Sequence, residues 1–211
     1  MFSSGQAVAW VRRTAAVIEE HATELTKLDA AIGDGDHGTN MARGFRTVSE
    51  RLGGLPADAT IAAVFKAVSM ALISKVGGAS GPLYGSFYLA VGRSLGDQAE
   101  VDDAALAAGL RAGLDGVVAR GKAQLEDKTM VDALHPALEA LDAALADGQD
   151  LGGALDAAEA AARKGVAATI PLVARKGRAS YLGERSRDHQ DPGATSTHLI
   201  VEALADVVNG R

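Results

Sequence analysis

The sequence has no cysteine, and aromatic residues make up only 4% of it. The lack of cysteine excludes both a disulfide framework and a thiolate metal site. No uninterrupted apolar run reaches the length of about 18 residues that a membrane span needs, so we expect no membrane-spanning segment. The N-terminus lacks the basic-then-apolar order of a secretory signal. Together these absences predict a cytoplasmic protein.

The charge balance also limits the class of ligand. A formal net charge of -6 argues against general nucleic-acid binding, which needs a basic surface. An acidic protein can still bind phosphate groups locally, through a metal ion, backbone amides or a few cations. The length of 211 residues suits one domain, and we treat 1–211 as a single domain.

Alanine is abundant and isoleucine is sparse, which favours helices over strands and predicts an all-α protein. Apolar residues recur at three- and four-residue spacing, as in Val8, Val11, Ala15 and Ile18. Together with the glycine-rich turns, this periodicity predicts eight helices, at about 5–28, 40–52, 57–76, 82–95, 102–120, 130–148, 154–174 and 191–209. Pro171 should kink the seventh helix near its end.

Three aspartates, Asp29, Asp34 and Asp36, fall within eight residues at the end of the first predicted helix. Carboxylates this close repel each other, by roughly 3 kcal/mol per pair at about 5 Å and an effective dielectric near ~20. Mg²⁺ takes oxygen ligands and is usually held by one or two carboxylates plus substrate phosphates, so the segment predicts a magnesium site. A solvated turn is the alternative. An EF-hand is excluded, because its sixth and twelfth positions would be Thr39 and Phe45.

Two glycine-rich segments carry different implications. Gly33, Gly35 and Gly38 match the spacing of a dinucleotide fingerprint. That fingerprint follows a strand, however, whereas this segment follows a helix and contains carboxylates that would repel a pyrophosphate. The loop 77–81 precedes Pro82 at the start of a predicted helix. Its amides and the Ser80 hydroxyl suit an anion, although a glycine pair also simply ends helices.

The segment 175–196 concentrates arginine and lysine in an otherwise acidic chain. Arginine suits phosphate because its guanidinium is planar and always charged. Such a run is otherwise a solvated surface loop, but its length as a connection favours a functional loop. Asp191 also begins a typical helix-capping sequence.

Five segments together resemble the L subunit of the dihydroxyacetone kinases: 28–41, 77–82, 120–122, 127–130 and 175–196. They occur in the family's order and span nearly the whole chain. The resemblance implies a barrel of eight antiparallel helices with the nucleotide site at one end. It also implies that Asp29, Asp34 and Asp36 hold two Mg²⁺ ions and that these residues serve catalysis together with Arg178.

The same resemblance implies which residues contact ADP or ATP. They are His37, Gly38, Thr39, Asn40, Gly78, Ala79, Ser80, Gly121, Thr129, Met130, Arg178, Asp191, Pro192 and Gly193. For His37, the residues alone leave two interpretations open, a hydrogen-bonded structural histidine and a direct phosphate contact.

The chain offers no evident nucleophile or general base for a phosphoryl acceptor. In the resembled family, the acceptor is a covalent adduct on a histidine of a separate K subunit, so this chain should act in trans on that partner. The expected donor route keeps ADP bound and rephosphorylates it through the M subunit of the phosphotransferase system, with phosphoenolpyruvate as the ultimate donor. One alternative is the L subunit of a split ATP-dependent kinase for dihydroxyacetone or a related ketose, and another is a nucleotide- or metal-sensing adaptor without turnover. We expect no nucleic-acid or membrane partner, and a homodimer is left open.

Overall fold

Nine α-helices dominate the computed structural model, which describes residues 1–211. They are α1 (Ser4–Glu20), α2 (Ala22–Ile32), α3 (His37–Leu52), α4 (Ile61–Lys75), α5 (Ser80–Leu95), α6 (Asp103–Gly121), α7 (Val131–Ala146), α8 (Leu151–Ala168) and α9 (Pro192–Asn209). A 3₁₀-helix spans Arg178–Ser186, and two short strands, β1 (Phe2–Ser3) and β2 (Glu100–Val101), pair antiparallel. The all-α prediction is confirmed. None of the helices combines the length and apolar character that a membrane span would need.

Eight of the helices form a closed ring. In order around the ring, α1, α3, α4, α5, α6, α7, α8 and α9 each pack against the next, and α9 packs back onto α1. The helix α2 lies outside the ring against α3 and α9. The barrel of eight helices is therefore confirmed, with one additional helix that the sequence did not reveal.

The core fills the inside of the ring. Trp10 of α1 meets Phe65 of α4 and Tyr88 of α5, each at 5.6 Å between ring centroids. Its indole Nε1 donates to the Ile200 carbonyl of α9 at 2.9 Å. Buried tryptophan needs such a partner, because an unpaired buried N–H is costly. The contact fixes the closure of the ring between its first and last helices.

The predicted first helix, 5–28, is in fact two helices. His21 leaves helical geometry (φ -91°, ψ 6°), so α1 ends at Glu20 and α2 starts at Ala22. The break lets α2 leave the ring and lie against the start of α3, where Gly38 is buried beneath the Ala22 carbonyl. This contact is tertiary, which is why the helical periodicity gave no sign of it.

Other boundaries also differ from the sequence prediction. The second predicted helix, α3, starts at His37 and not at residue 40. The third predicted helix, α4, starts at Ile61 and not at residue 57, and the Thr60 side chain accepts the Ala63 amide at this start. The seventh predicted helix ends at Ala168, so Pro171 lies beyond it and kinks nothing. The segment predicted as a loop from 175 contains the 3₁₀-helix.

The alternating directions of the ring helices place their termini at two ends. At the end that we call the far end, α1, α4, α6 and α8 begin, each with a side-chain N-cap. At the other end, the site end, α3, α5, α7 and α9 begin, and residues next to all four starts line a shared cavity. Helix N-termini carry partial positive charge, so this end favours an anion.

Candidate functional site

A cavity of about 500 Å³ opens at the site end. It is lined by residues of all the segments that the sequence singled out: the acidic loop, the loop 77–80, Gly121, the segment 128–131 and both parts of the basic tail. Of the residues expected to contact a nucleotide, the lining includes His37, Asn40, Gly78, Ala79, Ser80, Gly121, Thr129, Met130, Arg178, Asp191, Pro192 and Gly193. The chain therefore brings together segments that lie up to about 160 residues apart in sequence.

Two of the predicted contacts, Gly38 and Thr39, do not line the cavity. Gly38 is buried, and a Cβ built there would lie 1.9 Å from the Ala22 carbonyl oxygen. Thr39 is exposed. In this structure Gly38 packs α3 onto α2, and the nucleotide role of both residues stays a prediction.

The three aspartates converge at the cavity. Each of Asp29, Asp34 and Asp36 offers a carboxylate oxygen, and these oxygens all lie within 4.8 Å of one another. Asp34 and Asp36 are exposed, whereas Asp29 is only 9% exposed. The donor set is all oxygen and strongly anionic, which fits a hard divalent cation such as Mg²⁺.

Asp29 is held in place by the backbone of the next helix. Its Oδ2 accepts the amides of Asp36 at 2.8 Å and His37 at 3.1 Å. It thereby satisfies amides at the start of α3, a task that a side chain at the N-cap usually performs. The acidic cluster is thus built into the junction of α2 and α3. Because Asp29 caps α3 from seven residues upstream of Asp36, α3 starts earlier than predicted.

Arg178 reaches the cluster from the basic tail. Its Nε lies 3.0 Å from Asp34 Oδ2. Both side chains are substantially exposed, at 64% and 37%, so the pair contributes little to stability. Its importance is positional, because it puts a permanent cation beside the carboxylates where a polyphosphate would meet them.

The start of α5 offers free donors to an anion. Neither a side chain nor the backbone accepts the amides of Ala79, Ser80 and Gly81. The α-helices that begin at the far end have capped starts, so this uncapped one stands out. Unsatisfied amides at a helix N-terminus suit an anion, and the anion site expected at the loop 77–81 stays a prediction.

His37 ties three ring helices together. Its Nε2 lies 2.9 Å from Ser196 Oγ of α9, and its Nδ1 lies 3.2 Å from Ser80 Oγ of α5. Burial lowers the pKa of His37, and the charges of Asp29 and Asp36 only partly oppose this effect. Both ring nitrogens have hydroxyl partners, which fits the structural interpretation of His37, and its contact with a phosphate stays a prediction.

Sequence reasoning missed the hydroxyl network beneath His37. Tyr84 OH donates to the Gly193 carbonyl at 3.1 Å and lies 2.7 Å from Ser196 Oγ and 2.9 Å from Thr197 Oγ1. These residues sit on otherwise apolar helix faces. Nothing in the local pattern distinguishes them from ordinary core positions. Tyr84 lines the cavity, whereas Ser196 and Thr197 lie behind its lining.

Asp191 caps α9, since its Oδ2 accepts the Ala194 amide at 2.7 Å. Burial raises the pKa of Asp191 to about 7. A carboxyl whose folded-state pKa lies above its unfolded-state value binds its proton more tightly when folded. Its contribution to the free energy of unfolding is therefore present at low pH and is lost as pH rises from about 4 through about 7.

We expect Asp191→Asn to remove this part of the pH dependence, because the amide is neutral throughout and its oxygen can still accept the Ala194 N–H. Urea unfolding of metal-free protein at about pH 5 and about pH 8 measures the change in unfolding free energy for each variant. Asp188→Asn, at an exposed position, is the matched control. An equal decline in wild type and Asp191→Asn would contradict the prediction.

The DAK2 domain family model matches residues 31–206. The chain is 43% identical over 203 residues, 96% of each chain, to the Escherichia coli (strain K12) protein named PEP-dependent dihydroxyacetone kinase, ADP-binding subunit DhaL. It is 40% identical over 210 residues, 99% of this chain and all of the other, to the PTS-dependent counterpart from Lactococcus lactis.

A solved structure shares the fold. The dihydroxyacetone kinase of C. freundii in complex with AMP-PNP and Mg²⁺ superposes with a TM-score of 0.72 at 31% identity. The match covers 95% of this chain and 33% of that longer chain.

Proposed function

Since the chain belongs to the DAK2 domain family, we propose that it is the nucleotide-binding subunit of a dihydroxyacetone kinase, and that it transfers a phosphoryl group to an acceptor held by a separate K subunit. The coarser assignment, a dihydroxyacetone kinase subunit that binds ADP, agrees with the names of full-length relatives at 40–43% identity. Transfer of the phosphoryl group to an acceptor on a separate subunit goes beyond those names and is part of the proposal.

One observation carries the proposal: the three carboxylates and Arg178 face each other at the mouth of a cavity that also receives the uncapped start of α5. This arrangement supplies groups of both signs. Asp29, Asp34 and Asp36 would hold Mg²⁺, and the resemblance implies two ions. A divalent cation held by these carboxylates would supply positive charge that stabilises the negative charge developing on the phosphoryl group.

The chain's own hydrogen-bond donors and its arginine have a complementary task. The amides of Ala79, Ser80 and Gly81 would bind phosphate oxygens, and Arg178 would stabilise charge on the transferred group. Phosphoryl transfer depends more on positioning and charge stabilisation than on covalent chemistry by the protein. These groups would supply the positioning and the charge stabilisation on the donor side of the reaction.

The acceptor half needs a partner. The only histidine that lines the cavity is His37, and hydroxyls engage both of its ring nitrogens. The cavity thus offers no free imidazole to accept a proton from an attacking hydroxyl. We propose that this base, and the site for dihydroxyacetone, lie on the K subunit.

For the donor, we propose that bound ADP is rephosphorylated in place by a phosphotransferase-system M subunit. Support comes from the printed names of the full-length relatives, which are PEP-dependent and PTS-dependent. The second candidate is free exchange of ATP in a split kinase for dihydroxyacetone or a related ketose. A nucleotide-sensing adaptor without turnover is the third.

Retention of ADP separates these candidates. We expect protein purified with Mg²⁺ to keep about one ADP per chain through gel filtration, because a rephosphorylated cofactor must dissociate more slowly than it turns over. Nucleotide extracted from the protein peak and quantified by chromatography gives the occupancy. The companion assay follows dihydroxyacetone phosphate formation with a K subunit present, once with the M subunit and phosphoenolpyruvate system and once with ATP alone.

Product that forms only with the phosphocarrier present supports the proposal. Rapid loss of nucleotide, with product formed from ATP alone, would replace it with the split ATP-dependent kinase. Stable nucleotide binding without product in either assay would favour the adaptor.

A further inference from the structure

Lys128 is buried without a carboxylate partner. It is only 1% exposed, and its Nζ donates to three backbone carbonyls: Ile170 at 3.3 Å, Leu172 at 2.9 Å and Ser186 at 2.6 Å. A buried ammonium is costly unless its donors are satisfied. Lysine has three N–H donors, and each finds a carbonyl here. None of them is then left for a ligand, although Lys128 lies in the cavity lining.

The three carbonyls share a location in the chain. They bracket residues 173–186, which we call the Arg178 segment. Ile170 and Leu172 lie just before it, and Ser186 ends it. Lys128 therefore brings together the two ends of the segment that carries the cation of the site.

Besides Lys128 and the Arg178–Asp34 pair, the Arg178 segment is held by contacts with α2 and by hydrogen bonds at its ends. Just beyond it, the Asp188 amide donates to the Ile170 carbonyl at 2.8 Å and Arg187 Nη1 donates to the Pro171 carbonyl at 3.1 Å. At its ends, the Ala174 amide donates to Ser186 Oγ at 2.9 Å and the Arg175 amide donates to the Asp127 carbonyl at 3.0 Å. Between them most side chains are partly or fully exposed, and Tyr181 is 87% exposed. A segment with so little buried apolar surface depends on its polar ties for order.

The backbone turn that carries Lys128 is rigid. Lys128 adopts a left-handed backbone conformation (φ 62°), as does Glu126 (φ 68°). Such conformations are strained in non-glycine residues and persist only where the surroundings enforce them. Asp132 enforces this one, because its carboxylate accepts the amides of Glu126 and of Thr129, the latter at 2.7 Å. Lys128 thus projects from a fixed turn.

We propose that Lys128 is a positioning residue, which closes both ends of the Arg178 segment and so holds Arg178 beside Asp34 at the mouth of the cavity. The effect on transfer rests on the proposed function. The effect on the segment does not, since it concerns the free protein. Lys128 acts through Arg178 and makes no contact with phosphate.

Limited trypsin digestion tests the closure in the free protein. The segment and its edge contain Arg175, Lys176, Arg178, Arg185 and Arg187, so its opening exposes several cleavage sites. Lys128→Met keeps the unbranched stem and removes the ammonium. We expect cleavage within 175–187 to be at least about tenfold faster than in wild type, because proteolysis follows the population of the open form. Lys164→Met, at an exposed position on α8, should match wild type.

A double-mutant cycle tests the coupling to Arg178. We expect Arg178→Ala and Lys128→Met each to lower the rate of transfer to the K subunit by about 100-fold, the scale for one lost stabilising donor. In the Arg178→Ala background, Lys128→Met should add no more than about twofold, since residues that act as one unit are not additive. Mn²⁺ affinity should not fall in either variant, because Asp29, Asp34 and Asp36 lie outside the segment and the loss of Arg178 removes a competing cation from Asp34. Lys128→Arg should recover only part of the loss, because a planar fork cannot serve three carbonyls around one nitrogen.

Unchanged trypsin protection in Lys128→Met, or losses that multiply in the double variant, would overturn the proposal. If Lys128→Met does not fold, Lys128→Arg takes its place in the same cycle and the same digestion. Full transfer activity in Arg178→Ala would count against the proposed function, and the digestion would still decide whether Lys128 holds the segment.

Discussion

Asp36→Asn should lower the rate of phosphoryl transfer at least about 1,000-fold, since a metal supplies several kcal/mol of charge stabilisation and each 1.36 kcal/mol is tenfold in rate. The affinity for Mg²⁺ should fall with it. The fold should survive, because Asp36 is exposed and its side chain caps nothing. In metal-free protein the variant should even be slightly more stable than wild type, because one of three mutually repelling charges is gone.

Isothermal titration with Mg²⁺ and the reconstituted transfer assay measure the two losses separately. Asp58→Asn is the matched control, because Asp58 is an exposed aspartate in the α3–α4 connection at the far end. Wild-type transfer by Asp36→Asn would remove the catalytic role of the acidic cluster. Weakened metal binding with unchanged transfer would also exclude a catalytic role for the acidic cluster, because the metal would then not take part in the reaction.

Gly38→Ala should cost about 3 kcal/mol of unfolding free energy, the upper part of the usual range for overpacking. The new Cβ would lie 1.9 Å from the Ala22 carbonyl oxygen and 2.8 Å from the Thr26 amide nitrogen. Backbone atoms cannot rotate away as a side chain can, so α2 and α3 would have to separate. For a chain of this length, that loss lowers the melting temperature by about 10 °C.

Thermal and urea unfolding measure this cost, and Gly5→Ala provides the control. A Cβ at Gly5 of α1 meets only Ser3 Oγ at 3.6 Å, so that variant should be neutral or slightly stabilised. An unchanged melting temperature for Gly38→Ala would mean that α2 does not pack on α3 as described. Since Asp29 caps α3 from α2, we expect Gly38→Ala also to weaken Mg²⁺ binding.

The sequence predicted the parts of the fold that depend on local pattern. Helical periodicity and glycine-rich turns gave the eight ring helices, and the crowding of Asp29, Asp34 and Asp36 gave the acidic cluster. Both follow from residues near each other in the chain, and the structure bears out the helix class and the convergence of the carboxylates.

The rest depends on contacts between distant segments. The break at His21 serves the packing of α2 on α3, and the early start of α3 depends on Asp29, seven residues before Asp36. Lys128 meets carbonyls 42 to 58 residues away. Before the fold is known, a lysine that will be buried looks the same as one on the surface.

The resemblance to a family contributed what residue chemistry could not. The nucleotide, the acceptor and the partner subunits come from it, whereas the anion-binding character of the site end follows independently from the uncapped amides of α5. Both lines predict phosphate binding at the same end of the ring. ADP retention is the measurement that distinguishes the two candidate sources of the phosphoryl group.

The alternation of helix directions has a practical consequence for tethering. The pairing of β1 with β2 and the direction of α9 place residues 1 and 211 at the far end, opposite the carboxylates. Ring helices of 15 to 19 residues separate the poles by about 25 Å at 1.5 Å per residue. A flexible linker needs roughly 20 residues to cover that distance on average. Affinity handles or fluorescent reporters on short linkers should therefore leave the mouth unobstructed at either terminus, whereas a fused phosphocarrier would need a long tether to reach it.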